Sequence, residues 1–407
     1  MTSNTTKEAA PAASTNDKFD AAKMIFNLVP ECEQGPVPGL QDPVRMTQRA
    51  MTAHMVQAVW RAETGWETPE MVPYGKIPLE PTASVLHYAT ESFEGMKVYR
   101  GYDQKLRLFR PWLNCKRLSK SNARVCLPDF DQQALLKIIS SYLAVECPRW
   151  LPEPGSNLYV RPAMIGSGSA LGIQRPPEAL FFLFGALFPQ STGKPSPGIK
   201  LLASSPEHIR AWPGGFGSAK VGASYGPAMV AQAKARENDC SQTLWLFGPE
   251  RLVTEAGASN FFVIWRRKDS DVVELVTSSL DTEIILDGIT RRSILDLARA
   301  RLSADSASAN TSGLPPLEVI ERPFTIDEIV EAHADGRLIE CFVSGTAMFV
   351  SPVSTIRYNG QMITFPMTVT EDGQKTTVSK YSSTLKSWLE DIIYGREDHE
   401  WAYIIDE

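Results

Sequence analysis

The sequence predicts a two-domain α/β protein, on three observations. At 407 residues the chain exceeds the size at which a single hydrophobic core stops growing. Pro189–Gly198 (PQSTGKPSPG) concentrates proline, glycine and serine between two apolar-rich halves, which is how a linker reads. Beyond it, short strands such as Lys200–Ala203, Gln242–Phe247 and Val273–Val276 alternate with helices such as Ser293–Arg301. The expected division is an extended or disordered tail over 1–45, a small α/β domain over 46–188, a linker over 189–199 and a larger domain over 200–407.

Composition narrows the function classes. Hydrophobic residues make up 43% and charged residues 22%, as in an ordinary globular protein. A net charge of −6 argues against nucleic acid or an anionic membrane as the main partner. The six cysteines show neither a CxxC nor a metal-ligand spacing, so free thiols in a reducing compartment are expected, and no metal. Ala179–Phe188 (ALFFLFGALF) is about half a membrane span and reads as a buried strand. Met1–Asp20 has no arginine and no apolar core, so a cytoplasmic tail is the plain reading; a mitochondrial form stays open.

Taken in order, structure is expected to begin between Asn27 and Val44. His54–Trp60 and Gly65–Trp66 read as a strand and turn. Leu86–Tyr99 (LHYATESFEGMKVY) sets Tyr88 on a short element, and Phe93–Met96 then turns into a strand. Aromatic residues beside such a turn are most often core. Leu106–Pro111 is a strand, and Asn114–Cys126 has helical spacing, so Arg117, Lys120 and Arg124 read as a solvated face. Ala134–Glu146 is an amphipathic helix. Leu158–Pro162 (LYVRP) sets Tyr159 and Arg161 on one side of a strand, where they could form a polar pocket wall. Asp305–Gly313 reads as a surface loop.

Trp212–Pro227 (WPGGFGSAKVGASYGP) is the most unusual stretch. Lys220 stands there among Gly214, Gly215, Gly217, Ser218, Ala219, Gly222 and Ala223. An ordinary surface loop can have this composition. A phosphate loop cannot, because Ala219 precedes the lysine and Val221 follows it; the dinucleotide fingerprint fails where Lys220 replaces its third glycine. What remains is a lysine in a tight, small-residue pocket that something flat approaches closely. Desolvation favours the neutral amine, which can form a Schiff base with an aldehyde cofactor such as pyridoxal phosphate. That cofactor also needs an acid for its ring nitrogen, donors and a cation for its phosphate, and a donor for its ring oxygen. Glu255 in TEAGASN, the helix start at LDGITRR with the amides of Ile289 and Thr290, and SGTA at 344–347 are candidates.

The blocks LHYATESFEGMK, FRPWLNCKR, LYVRPAMIG, RAWPGGFGSAKVGASYGP, LWLFGP, TEAGASN and SGTA occur in that order between about His54 and Tyr394. In them the chain resembles the class IV pyridoxal-phosphate enzymes, most closely the branched-chain amino acid aminotransferases. The resemblance implies fold type IV, two α/β domains as in the D-amino acid aminotransferases, with pyridoxal 5′-phosphate between them. It also implies a homodimer whose partner loop helps close the pocket. Lys220 would hold the cofactor and shuttle a proton, Glu255 would pair with the ring nitrogen, and Tyr225 would donate to the ring oxygen. Arg117, Ile289, Thr290 and Thr346 would bind phosphate, which overrides the surface reading of Arg117. Tyr88, Phe93, Tyr159 and Arg161 would line the substrate pocket, with Thr346–Ala347 holding the α-carboxylate and Arg161 the second carboxylate of glutamate or 2-oxoglutarate.

The expected reaction exchanges the amino group of leucine, isoleucine or valine with 2-oxoglutarate. Some positions depart from the family pattern. Thr47 and Met51 stand where an aromatic wall is usual, Leu187 where a tyrosine is common, and Ala258 where a threonine is usual. Met348 and Ser351 replace the redox CxxC of some animal members. The alternatives are a specialised aminotransferase with a changed aliphatic or aromatic substrate, a lyase or D-amino acid aminotransferase of the same fold, and a silent paralogue that binds ligand or partner.

Overall fold

The computed structural model describes residues 18–39, 42–169, 171–189, 198–306, 313–365, 368–371, 374–377 and 380–407. Residues 190–197 of the expected linker and 307–312 of the expected surface loop lie outside them. Two large sheets organise the described chain, one of ten strands and one of nine.

The first sheet centres on Asn157–Gly166 and Glu178–Ala186, antiparallel from Tyr159 opposite Ala186 to Gly166 opposite Ala179. The apolar run 179–188 thus forms a buried strand. Helices Pro111–Arg124 and Gln132–Trp150 supply the core that faces the sheet. Proline at the first helical position costs no hydrogen bond, which lets Pro111 start the first helix. The Asp131 side chain caps the second by accepting from the Ala134 N–H at 2.7 Å. Leu135, Ile138, Ile139, Tyr142 and Leu143 follow at helical spacing, all fully buried.

Order begins earlier than the sequence suggested. Phe19 is 2% exposed and packs on Trp66, Phe130 and Phe181, with ring centroids at 4.5, 6.0 and 5.5 Å. One phenylalanine in a polar stretch gives no periodicity, yet its burial is worth about 1.5–3 kcal/mol. Ile25–Phe26 then pairs in parallel with Glu70 and Met71.

The second sheet is mixed. Ile199–Ala203 runs parallel to both Gln242–Phe247 and Phe349–Tyr358. Ser259–Arg266 (SNFFVIWR) is covered on both faces: Phe261, Val263 and Trp265 enter one core, Phe262 and Ile264 another. Period-two alternation between two apolar faces explains its unbroken apolar character. Helices Ile289–Leu302 and Lys380–Ile393 contribute to the second of these cores. Helix Ile326–Ala334 packs in the first, opened by a capping box between Thr325 and Glu328.

The chain then crosses back. Ala402–Ile405 pairs antiparallel with Leu106–Phe109 of the first sheet, and Arg100 forms an ion pair with Glu407. The expected unit 200–407 therefore gives its last strand to the other sheet. An otherwise open edge at Leu106–Phe109 takes up the backbone groups of a segment too short to announce its partner.

Candidate active site

The two sheets meet around Lys220. Its backbone is fixed from the first sheet's side: its N–H donates to Ser121 Oγ at 2.9 Å, and its carbonyl accepts from the Phe93 N–H at 3.0 Å. The small residues around it are sterically required. A Cβ on Gly217 would meet the Ile284 carbonyl oxygen at 2.7 Å. Lys220 Nζ donates to the Tyr225 hydroxyl at 3.2 Å and lies 5.1 Å from the centroid of the Phe93 ring.

Glu255 lies on the second sheet, 4% exposed. It accepts from Arg210, and at 3.2 Å each from Asn260 Nδ2 and the Leu286 N–H. Burial pushes its carboxyl up; the charges of Arg210, Lys220 and Arg117 offset that only in part, so it stays above the ordinary carboxylate range. Glu255, Arg210, Tyr225, Ala258 and Leu286 line one cavity of about 330 Å³.

Arg117 lines a second cavity. Its Nε and Nη2 donate to the two oxygens of Glu94 at 2.6 and 2.8 Å, and its Nη1 donates to the Asp287 carbonyl at 2.9 Å. Burial pushes Glu94 up as well, but the Arg117 charge and hydrogen bonds, with Lys220 and Asn114, more than offset it, and Glu94 sits below its ordinary range. A cavity of about 230 Å³ is bounded by Arg117, Lys120, Ser218, Ile289 and Arg292. The helix that starts at Ile289 has Gly288 as N-cap and no side-chain cap, so its first amides remain available; Thr290 is buried beside them. Thr346 donates its hydroxyl to the Gly95 carbonyl at 3.1 Å, next to Glu94, and Ala347 is exposed on the same turn.

On the wall formed by the first sheet, Arg161 Nη2 donates to the Tyr159 hydroxyl at 2.9 Å, and the Arg161 guanidinium lies 4.7 Å from the Phe93 centroid. Tyr88 is 40% exposed, and its described ring neighbour is His87. Arg124 is exposed, as expected, yet reaches the Gly214 carbonyl at 2.8 Å and so touches the Lys220 loop. Leu187 is fully buried in the first core and faces away from the cleft; its neighbour Phe188 supplies the aromatic ring, stacked 4.3 Å from Tyr159. Thr47 is exposed on a short helix, Met51 opens a strand opposite Ala186, and Ala258 lines the cavity at Glu255.

Sequence reasoning assigned no role to Glu94 or Arg210. Each buried charge needs a counter-charge, and that rule applied to Arg117 and Glu255 would have prompted a search for both partners within FEGM and RAWPGG. Among the described residues no cluster of three or more His, Cys, Asp or Glu could hold a metal, and no helix is long and apolar enough to cross a membrane.

A lysine, a buried acid and a buried cation gathered where two sheets meet define a class, and the sequence model for amino-transferase class IV matches residues 91–356. The mitochondrial branched-chain-amino-acid aminotransferase of Bos taurus is 40% identical over 391 residues, 95% of this chain and 92% of that protein. The cytosolic enzyme of Mus musculus is 42% identical over 356 residues, 86% of this chain and 85% of that one. The fold is similar to the branched-chain amino acid aminotransferase of Thermobaculum terrenum in its PLP form, with TM-score 0.64 and 19% identity over 88% of this chain and all of that one. The chain belongs to the class IV aminotransferases, in the branched-chain-amino-acid aminotransferase family.

Proposed function

We propose that this chain transfers the amino group of leucine, isoleucine or valine to 2-oxoglutarate with pyridoxal 5′-phosphate. The carrying observation is that Lys220 donates to Tyr225, which lines one cavity with Glu255, and that the Lys220 charge acts both on Glu255 and on Glu94, the partner of Arg117. The donor set fits the cofactor, with an acid at one end, a hydroxyl beside the amine, and a guanidinium with uncapped helix amides at the other. When bound, the cofactor supplies an aldehyde for the amino group and a ring that accepts electrons from Cα.

The protein's own groups do the rest. Glu255, held in place by Arg210 and Asn260, would pair with the ring nitrogen. Tyr225 Oη would donate to the ring oxygen. Lys220 Nζ, on a flexible four-carbon stem, would carry a proton between the substrate and the cofactor. Arg117 has five N–H donors, of which Glu94 and Asp287 take three, leaving one on Nη1 and one on Nη2 for a phosphate. The Ile289 and Thr290 amides and the Thr346 hydroxyl complete that end. Phe93, Tyr159 and Arg161 line the side-chain pocket, with the Thr346–Ala347 turn at the α-carboxylate.

Tyr88, exposed with Leu86 on the same short helix, is proposed to lie on the surface that meets a second copy. The two sheets are proposed to act as two domains, 46–188 and 200–407, joined by 189–199, with the exchange of Ala402–Ile405 noted above.

The test is a half-reaction screen. Protein carrying the cofactor is mixed separately with L-leucine, L-isoleucine, L-valine, L-glutamate, aromatic L-amino acids and D-alanine, and the visible absorbance is followed. Bleaching by the branched trio and by glutamate is expected. Bleaching by glutamate alone would overturn the branched-chain reading in favour of a re-specified partner substrate. Lys220→Ala is expected to lower turnover by at least about 10²–10⁴-fold, the usual size of a lost proton-transfer group. Turnover at the wild-type rate would sink the assignment of the lysine.

A further inference from the structure

Glu91 has no part in the roles above, yet the fold directs it at the cleft. The strand Glu91–Phe93 pairs antiparallel with Asn157–Gly166, with Glu91 opposite Ile165 and Phe93 opposite Ala163. Alternate residues on a strand share a face, and so do directly opposed ones. Glu91, Phe93, Ile165, Ala163 and Arg161 therefore share one face of the sheet. The 4.7 Å contact of Arg161 with Phe93 agrees with this, as does the 5.1 Å distance from Lys220 Nζ to the same ring. The Glu91 carboxylate rests on the turn that follows Lys220: a Cβ on Gly222 would meet Glu91 Oε2 at 2.5 Å. Arg161 in turn donates to Tyr159, and its Nε is buried without a hydrogen-bond partner. Burial raises the Glu91 carboxyl, and the Arg161 charge pulls it back down.

We propose that Glu91 is a specificity-determining residue: its carboxylate is the resident counter-charge of Arg161 and biases the side-chain pocket toward apolar substrates and against dicarboxylates. The inference rests on the proposed function, in which one pocket alternates between a branched side chain and the second carboxylate of 2-oxoglutarate. With an apolar side chain in place, a guanidinium lacking a counter-charge is costly to keep out of water. Glu91 offsets that cost. With a dicarboxylate in place, two carboxylates share one guanidinium, and their mutual repulsion weakens the dicarboxylate. The same side chain thus favours one partner of the exchange and penalises the other.

The experiment compares wild-type, Glu91→Gln and Glu91→Asp holoenzymes. Each is assayed for KM of leucine and of 2-oxoglutarate, and for inhibition by two inert acids, glutarate and 4-methylpentanoate. Glu91→Gln is expected to shift the inhibition ratio toward glutarate by about tenfold, with KM for 2-oxoglutarate falling while KM for leucine holds or rises. Glu91→Asp keeps the charge and is expected to stay close to the wild-type ratio. Glu91→Ala serves in reserve if the glutamine variant does not fold, with the same expectation. An unchanged ratio in the uncharged variants, or a shift as large in Glu91→Asp, overturns the inference while leaving the transaminase reading intact. A wild-type protein that does not exchange leucine with 2-oxoglutarate overturns both.

Discussion

Two buried glutamate–arginine pairs border the site, built from the same chemistry, with their carboxyls shifted in opposite directions. Glu94 takes both arms of Arg117 at 2.6 and 2.8 Å, and Asn114 Nδ2 at 2.8 Å. Glu255 takes Arg210 and only two longer contacts of 3.2 Å. Burial raises both; at Glu94 the partners win, at Glu255 they do not. Both carboxylates face an opposite charge; at Glu94 the hydrogen bonds of Arg117 and Asn114 add to it, and together they outweigh burial. Glu94 is consumed in holding Arg117. Glu255 keeps the capacity to pair with one more proton or cation, which is what a partner for a ring nitrogen requires.

The contrast can be broken from either side. The largest effect is expected from Arg117→Met, which leaves the buried Glu94 without its counter-charge. A loss of about 3–5 kcal/mol in urea unfolding, with loss of the bound cofactor, is the expected outcome. A loss below about 1 kcal/mol would mean that Glu94 finds another partner. Next comes Arg210→Gln. It removes a downward pull on Glu255, so that carboxyl rises further and ionises only at higher pH. The acid limb of the pH–rate profile should move to higher pH; a move to lower pH would contradict the pairing. Stability should follow opposite slopes at the two ends. The lowered Glu94 contributes stability above the unfolded carboxylate value that is lost as pH falls through its own lower one. The raised Glu255 contributes stability below the unfolded value that is lost as pH rises through its own higher one. The smallest effect is expected at the cavity rim: Ala258→Thr should alter unfolding free energy by no more than about 0.5 kcal/mol, because the position is exposed.

Legibility in the sequence followed the range of the interaction. Lys220 stood out because its small neighbours are local, and Gly217 indeed has no room for a Cβ. The helices Pro111–Arg124 and Gln132–Trp150 were readable from spacing, and the run 179–188 from its length. The pairings Glu94–Arg117 and Arg210–Glu255 join residues distant in sequence, so neither partner announces the other. Arg117 shows the limit of periodicity: helical spacing gave it a solvated face, and tertiary packing against Glu94 buried it. Leu187 and Phe188 show the limit of position-by-position likeness. A shift of one residue along a strand exchanges the core face for the cleft face, and the aromatic ring is supplied by the neighbour.

The return of the chain end to the first sheet has a consequence for the order of events at the ribosome. Arg100 and its partner Glu407 are 307 residues apart. When Leu106–Phe109 first emerges, the strand that will cover its edge has not been translated, and at about 5–20 residues per second it follows many seconds later. Through that interval the nascent half exposes an unpaired strand edge, the kind of surface that recruits a neighbouring chain. Closure of that edge therefore waits for a strand made about three hundred residues later, and a stop before Ala402 would leave the edge open permanently.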